Sequence, residues 1–159
     1  MHHFSGRGYR GKAMFIAIDK ATAVRMYDKV KRHWSAMLAR EAERVAGIAD
    51  AVERSAAEEQ IAWLRETDMA VIVSLSQNEI ALMARQGLTI EPHRRRMVNE
   101  DMDEKFKAPK DPLRLVFICA MWITGFDVPT CSTVYIDKPM KNHTLMQTIA
   151  RANRVTPGK

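Results

Sequence analysis

Cysteine is almost missing from this sequence. Cys119 and Cys131 are the only two in 159 residues, and neither belongs to a Cys-x-x-Cys or mixed His/Cys spacing. That excludes a disulfide scaffold and leaves no zinc-ligand pattern, so both are read as reduced thiols in a cytoplasmic protein, with no metal site expected. No apolar run approaches the ~20 residues of a membrane helix. The opening MHHFSGRGYRGK lacks the apolar core of a signal peptide, so no membrane partner is expected. Internal repeats and low-complexity tracts are also missing. What remains, 47% hydrophobic and 28% charged residues over 159 positions, is the balance of one globular domain. The net charge of +6 permits a polyanionic partner such as DNA without requiring one.

Complete catalytic sets are missing too. Gly6-Arg-Gly-Tyr-Arg-Gly11-Lys12 has the G-x4-G-K spacing of a phosphate-binding loop, but Ala13 stands where Ser or Thr must hold magnesium. The segment also precedes a strand-like run instead of linking a strand to a helix. No acidic D-E-x-H box is present, nor an acidic pair followed by a strand-borne E-x-K. The five histidines lie in polar or terminal stretches and form no Ser/His/Asp or Cys/His arrangement. The chain alone is not expected to be a competent catalyst.

Read in order, residues 1–11 are polar and glycine-rich, a loose N-terminal segment, and a single domain spans residues 12–159. Residues 12–19 (KAMFIAID) form a first strand. Asp19 or Lys20 then opens a helix with Ala23, Val24, Tyr27 and Val30 as its apolar stripe. Lys31-Arg32-His33 reads as a solvated helix end rather than a DNA contact. Helical character pauses near residues 47–50 and resumes at Ser55-Ala-Ala-Glu58, which has capping-box spacing. Trp34 and Trp63 are read as core residues. Residues 69–75 (MAVIVSL) form a second buried strand. Ser76-Gln-Asn-Glu79 is a further capping box, and Gly87 closes its helix. In residues 91–112 a short amphipathic helix carrying Met97, Met102 and Phe106 is expected. There Arg94–Arg96 either touch a DNA backbone or pair with the nearby acidic run. Residues 113–121 (LRLVFICAM) and 133–137 (TVYID) supply two more strands. Near-continuous apolar strands alternating with helices predict an α/β fold, a doubly wound, mainly parallel sheet with helices on both faces.

The C-terminal helix, NHTLMQTIARANRV, carries the most chemistry. Gln147, Arg151 and Arg154 are spaced i, i+4, i+7 and share about a 60° arc, while Leu145, Ile149 and Ala152 face the other way. Two adjacent guanidiniums repel unless an anion lies between them, and their planar forks suit phosphate oxygens; a solvated basic face is the plainer alternative. Upstream, Gly125 permits close backbone approach, Asp127 follows the end of a buried strand, and Pro129 blocks a helix. In an open α/β sheet, ligands bind at that carboxyl edge.

Together these residues resemble a known family. Residues 118–127 are similar to motif V, and Gln147–Arg154 (Q-x3-R-x2-R) to motif VI, of superfamily 2 helicases and translocases. The unbroken string MWITGFDVPTCSTVYIDKPMKNHTLMQTIARANRV is similar to the R subunit of type I restriction enzymes. The resemblance is close over residues 113–155, looser over 12–112, and absent over 1–11.

The resemblance implies the second RecA-like motor domain of an ATP-dependent DNA translocase and endonuclease subunit, a P-loop NTPase-like fold without its own P-loop. It implies that Arg154 is an arginine finger toward ATP, Arg151 a second γ-phosphate contact, and Gln147 a group orienting water or nucleotide. Gly125 and Asp127 would lie at the nucleotide cleft, and Cys119 and Thr124 nearer the DNA backbone. Cys119-Ala120 stands where many such motors carry Thr-Asp, and Thr124 where they carry Arg, so the DNA side of motif V departs from the pattern. ATP and Mg2+ would be held mainly by a preceding RecA-like domain, with cutting by a separate nuclease domain. Implied partners are double-stranded DNA and the methyltransferase and specificity subunits. Two other readings remain open: a non-catalytic basic α/β module binding nucleic acid or protein, and the second half of another superfamily 2 helicase.

Overall fold

The computed structural model describes residues 11–122 and 128–139. Four strands, β1 (Lys12–Ala17), β2 (Asp68–Val73), β3 (Leu113–Cys119) and β4 (Cys131–Asp137), pair in the order β2-β3-β1-β4, every pairing parallel. The described helices are α1 (Lys20–Ala46), α2 (Ala51–Glu66), α3 (Glu79–Ala84), α4 (Glu91–Asn99) and α5 (Met102–Lys107). Strand side chains alternate between two cores. Ala13, Val71 and Phe117 pack with Val24, Trp34 and Met37 of α1 and Leu64 of α2, whereas Met14, Ile72 and Val116 pack with Met102 and Phe106 of α5. Covering both faces is what makes the strands read as unbroken apolar runs. The fold is therefore α/β, with a parallel sheet flanked by helices on both faces, as expected.

Local capping fixes where the helices begin. The Asp19 carboxylate accepts the Thr22 N–H at 2.6 Å and starts α1 directly after β1. Lys31-Arg32-His33 lies in mid-helix, exposed, and not at a helix end. The second helix begins earlier than Ser55, because Asp50 accepts from the Val52 and Glu53 N–H groups at 3.0 and 2.8 Å. A carboxylate just past the Gly47 terminus outcompetes the later Ser-x-x-Glu pattern, which is left inside the helix. Only half of the Ser76–Glu79 box forms: the Ser76 N–H donates to Glu79, but Asn78 is the cap residue and makes no side-chain bond. Gly87, at φ +69°, closes the turn after α3, with the Leu88 N–H donating to the Met83 carbonyl at 3.0 Å. The expected single amphipathic helix in residues 91–112 is two, α4 and α5. Asp101 divides them by capping the Glu104 N–H at 3.0 Å.

Trp34 is buried and its indole N–H donates to the Leu64 carbonyl at 3.1 Å, joining α1 to α2. Trp63 is half-buried, with the Arg114 guanidinium 4.4 Å from its ring. Both tryptophans belong to the core as expected.

Lys12, which opens β1, is only 1% exposed. Its ammonium donates to the Lys105 carbonyl at 2.9 Å and lies 5.4 Å from the Phe106 ring centre. Burial pulls its pKa down to about 8, against a smaller upward pull from Asp111. Between about pH 8 and 10.5 the unfolded chain therefore holds this proton more tightly than the folded one, and this group's contribution to stability rises with pH. Lys12→Met is expected to be neutral or stabilising by up to about 2 kcal/mol at pH 7. Its advantage should narrow by pH 10. Denaturant unfolding at the two pH values checks this; an advantage that widens on going alkaline would contradict it.

Candidate functional site at the carboxyl edge of the sheet

All four strands end at one rim because all run parallel, and the chain leaves that rim through Asp19, Ser74, Ala120 and Lys138. The sharpest exit follows β3. Ala120 and Trp122 both adopt left-handed backbone conformations, at φ 62° and 61°, and the Met121 N–H donates to the Cys119 carbonyl at 2.8 Å. Neither residue type favours that region, and each costs on the order of 1–2 kcal/mol there. The Trp122 indole offsets part of this by stacking on Phe106, with centroids 5.8 Å apart and planes inclined by 24°. The strain thus sits directly before residues 123–127. Sequence reasoning missed it, since no glycine or asparagine marks the turn.

Beside this exit, a groove of about 570 Å3 runs along the ends of β2 and β3, bounded by Ser74, Leu75, Arg94, Glu100 and Trp122. Arg94 is fully committed. Its guanidinium donates to the Glu79 carboxylate at 2.7 and 2.8 Å, to the Val73 carbonyl at 3.1 Å and to the Ser74 carbonyl at 3.2 Å. Burial pushes the Glu79 carboxyl up, but the Arg94 hydrogen bonds and charge outweigh burial and hold it below its ordinary pKa. Arg96 is committed as well, to Asp68 at 2.6 Å and Glu100 at 2.7 Å. Arg96 and then Lys105 hold the Glu100 carboxyl down near 2. Of the two readings of Arg94–Arg96, pairing with the nearby acidic run is the observed one for Arg96, through Glu100; Arg94 pairs instead with Glu79, outside that run, and Arg95 is exposed.

Among the described residues, no group of His, Cys, Asp and Glu could hold a metal ion. The described rim also offers no cradle for a triphosphate with its magnesium, because Arg94 is saturated and Glu100 and Asp101 face the groove. Of the residues singled out from sequence, Cys119 is described. Its thiol lies 3.8 Å from the Ile18 carbonyl at the end of β1, and burial raises its pKa, keeping it neutral. Gly125, Asp127, Thr124, Gln147, Arg151 and Arg154 lie outside the described residues.

A parallel α/β sheet in this order, with its strand ends gathered on one rim, is consistent with a RecA-like fold. Comparison with known proteins narrows this. The family described as type I restriction enzyme subunit R domain 3 matches residues 9–159, and the chain belongs to that family. It is 55% identical over 60 residues, 38% of its length, to the type I restriction enzyme HindI endonuclease subunit of Haemophilus influenzae. It is 38% identical over 111 residues, 68% of its length, to a protein of Methanocaldococcus jannaschii provisionally described as the type I restriction enzyme MjaIXP endonuclease subunit. A second protein of that organism, provisionally described as the MjaVIIP endonuclease subunit, is 26% identical over 151 residues, or 95% of the chain. These matches span only 6%, 10% and 12% of the relatives' own lengths. No described helix is long and apolar enough to cross a membrane.

Proposed function

We propose that this chain works as the second RecA-like motor domain of the ATP-dependent DNA translocase and endonuclease subunit of a cytoplasmic type I restriction-modification system. The observation that carries the reading is continuity. One family match runs unbroken from the parallel sheet through the strained β3 exit to Gln147, Arg151 and Arg154.

A nucleotide motor needs a phosphate cradle with a magnesium ligand, and a counter-charge that arrives from a neighbouring domain. The described rim has no cradle, whereas the guanidiniums of Arg151 and Arg154 have the chemistry of the counter-charge. ATP, held with Mg2+ by a preceding RecA-like domain, would supply the free energy. In this chain, Arg154 would stabilise charge developing on the γ-phosphate, Arg151 would bind the same group, and Gln147 would orient the attacking water. Gly125 and Asp127 would line the cleft, and Cys119 and Thr124 would lie toward the duplex. Cutting would belong to a nuclease domain of the same subunit, and sequence reading to the specificity subunit alongside the methyltransferase.

The test is ATP hydrolysis by an R subunit carrying this domain, with duplex DNA, RNA or neither. Stimulation by duplex alone is expected, and none is expected from the 159-residue chain by itself. Stimulation by RNA would transfer the domain to an RNA-helicase half. Absence of turnover in the whole subunit would leave the non-catalytic basic module.

A further inference from the structure

Helix α1 carries a line of cations that the nucleotide reading does not use. Its buried residues, Ala23, Val24, Trp34, Met37 and Val45, face the sheet and α2. On the opposite side Arg25, Lys29, Arg32 and Arg40 share about an 80° arc. All four are exposed. At ~1.5 Å per residue the line is about 22 Å long. It begins within about two turns of the carboxyl rim, since Asp19 caps the helix there.

Elsewhere the described surface pairs only part of its cations, and Arg65, Arg95 and Lys110, with others, also have no carboxylate partner among the described residues. Arg44, Arg54, Arg94, Arg96, Lys105, Lys107 and Arg114 each have a carboxylate within 4.0 Å, whereas none of the four α1 residues has such a partner among the described residues. Arg25 makes one neutral hydrogen bond, to Gln86 at 3.3 Å. Asp28 flanks the line and Glu43 lies at its far end, so the acids border the stripe without interrupting it.

We propose that the α1 stripe is a docking surface for the sugar-phosphate backbone of duplex DNA. Four like charges in a row raise a local field that favours a linear polyanion. One strand of a duplex presents a negative charge every ~3.4 Å, so a row of about 22 Å can meet several phosphates without reading a base. The surrounding side chains argue against other occupants. None of the exposed large hydrophobics lies on α1, so an acidic protein would find no apolar anchor beside the charges. No aromatic side chain lies on the arc, so single-stranded bases would find nothing to stack on.

The test is anisotropy of a labelled duplex of about 30 base pairs with the whole chain, from about 20 to 200 mM salt. Lys29→Glu, Arg32→Glu and Arg40→Glu together should weaken binding by about 100-fold at about 50 mM salt. They should also flatten the log affinity against log salt slope by about 2.7, or ~0.9 per lost phosphate contact. Arg54→Glu, Arg65→Glu and Lys110→Glu, a set of equal net charge on other exposed positions, should weaken binding less than about five-fold. Equal losses in the two sets would reduce the effect to net charge and overturn the assignment. So would no binding by the wild type at the lowest salt, or tighter binding to single-stranded DNA or to polyglutamate than to the duplex. Failure here leaves the ATPase result untouched, and an ATPase failure leaves this affinity unchanged, so the two proposals fall separately.

Discussion

Arg154→Ala, placed in an R subunit carrying this domain, is expected to lower duplex-stimulated ATP turnover by about 10^3 to 10^5-fold. ATP affinity is expected to change by less than about three-fold, because an arginine finger acts on charge that develops only in the transition state. The helix that the sequence periodicity predicts would put Arg154 on the face opposite Leu145, Ile149 and Ala152, so its truncation is not expected to disturb an apolar side. Arg154→Lys keeps the charge but loses the planar fork, and should recover only part of the rate. Arg151→Ala, removing the second phosphate contact, should raise KM for ATP as well as lower kcat. Turnover at saturating ATP and duplex, with nucleotide affinity from a fluorescent analogue, separates these outcomes. Undiminished turnover in Arg154→Ala would remove the finger role.

The fold was legible because both faces of the sheet are covered. Residues 113–119 and 69–73 could be recognised as buried strands without knowing their neighbours, since their apolar character is continuous. Helix starts were less legible. Asp50 and Ser55 both offer capping chemistry, and the choice between them depends on where the chain turns after Gly47. Reading Met97, Met102 and Phe106 as one helix missed the division of residues 91–107 at Asp101, although 100° per residue sets Met97 about 140° from Met102 and about 180° from Phe106. In fact Met97 packs toward one core and Met102 and Phe106 toward the other.

The surroundings of the candidate site were obscure where they rest on tertiary contact. Gln147, Arg151 and Arg154 have the i, i+4, i+7 spacing that a helix would gather on one face, and they lie outside the described residues. The left-handed Ala120 and Trp122 carry no such mark, and the Phe106 ring that supports Trp122 comes from a distant helix. The burial of Lys12 was equally hidden, since a lysine opening a strand looks like an exposed end until α5 is laid over it. The pairings of Arg94 with Glu79 and Arg96 with Asp68 join residues 15 and 28 positions apart, beyond the reach of local charge patterning.

The first of those pairings carries the largest expected effect on stability. The Glu79 side chain is only 7% exposed, and Arg94 supplies its counter-charge as well as donors to the Val73 and Ser74 carbonyls at the end of β2. Arg94→Met leaves a buried carboxylate without its partner and should destabilise the domain by about 3 kcal/mol at pH 7. The pH dependence identifies the cause. In the wild type the Glu79 pKa is depressed, so its contribution is present above the ordinary value of 4.5 and fades as pH falls through the folded-state value. In Arg94→Met the hydrogen bonds and charge that hold the Glu79 carboxyl down are lost, so burial pushes its folded-state pKa up from the wild-type position, and the penalty is relieved as acid protonates it. The gap between the proteins should therefore shrink as pH falls from about 7.5 to about 5. Arg94→Met combined with Glu79→Gln should recover most of the loss, because neither partner is then a buried lone charge. Urea unfolding of the wild type and both variants at the two pH values checks this. A gap that stays constant with pH would mean that Arg94 acts through the Val73 and Ser74 carbonyls at the rim and not through Glu79.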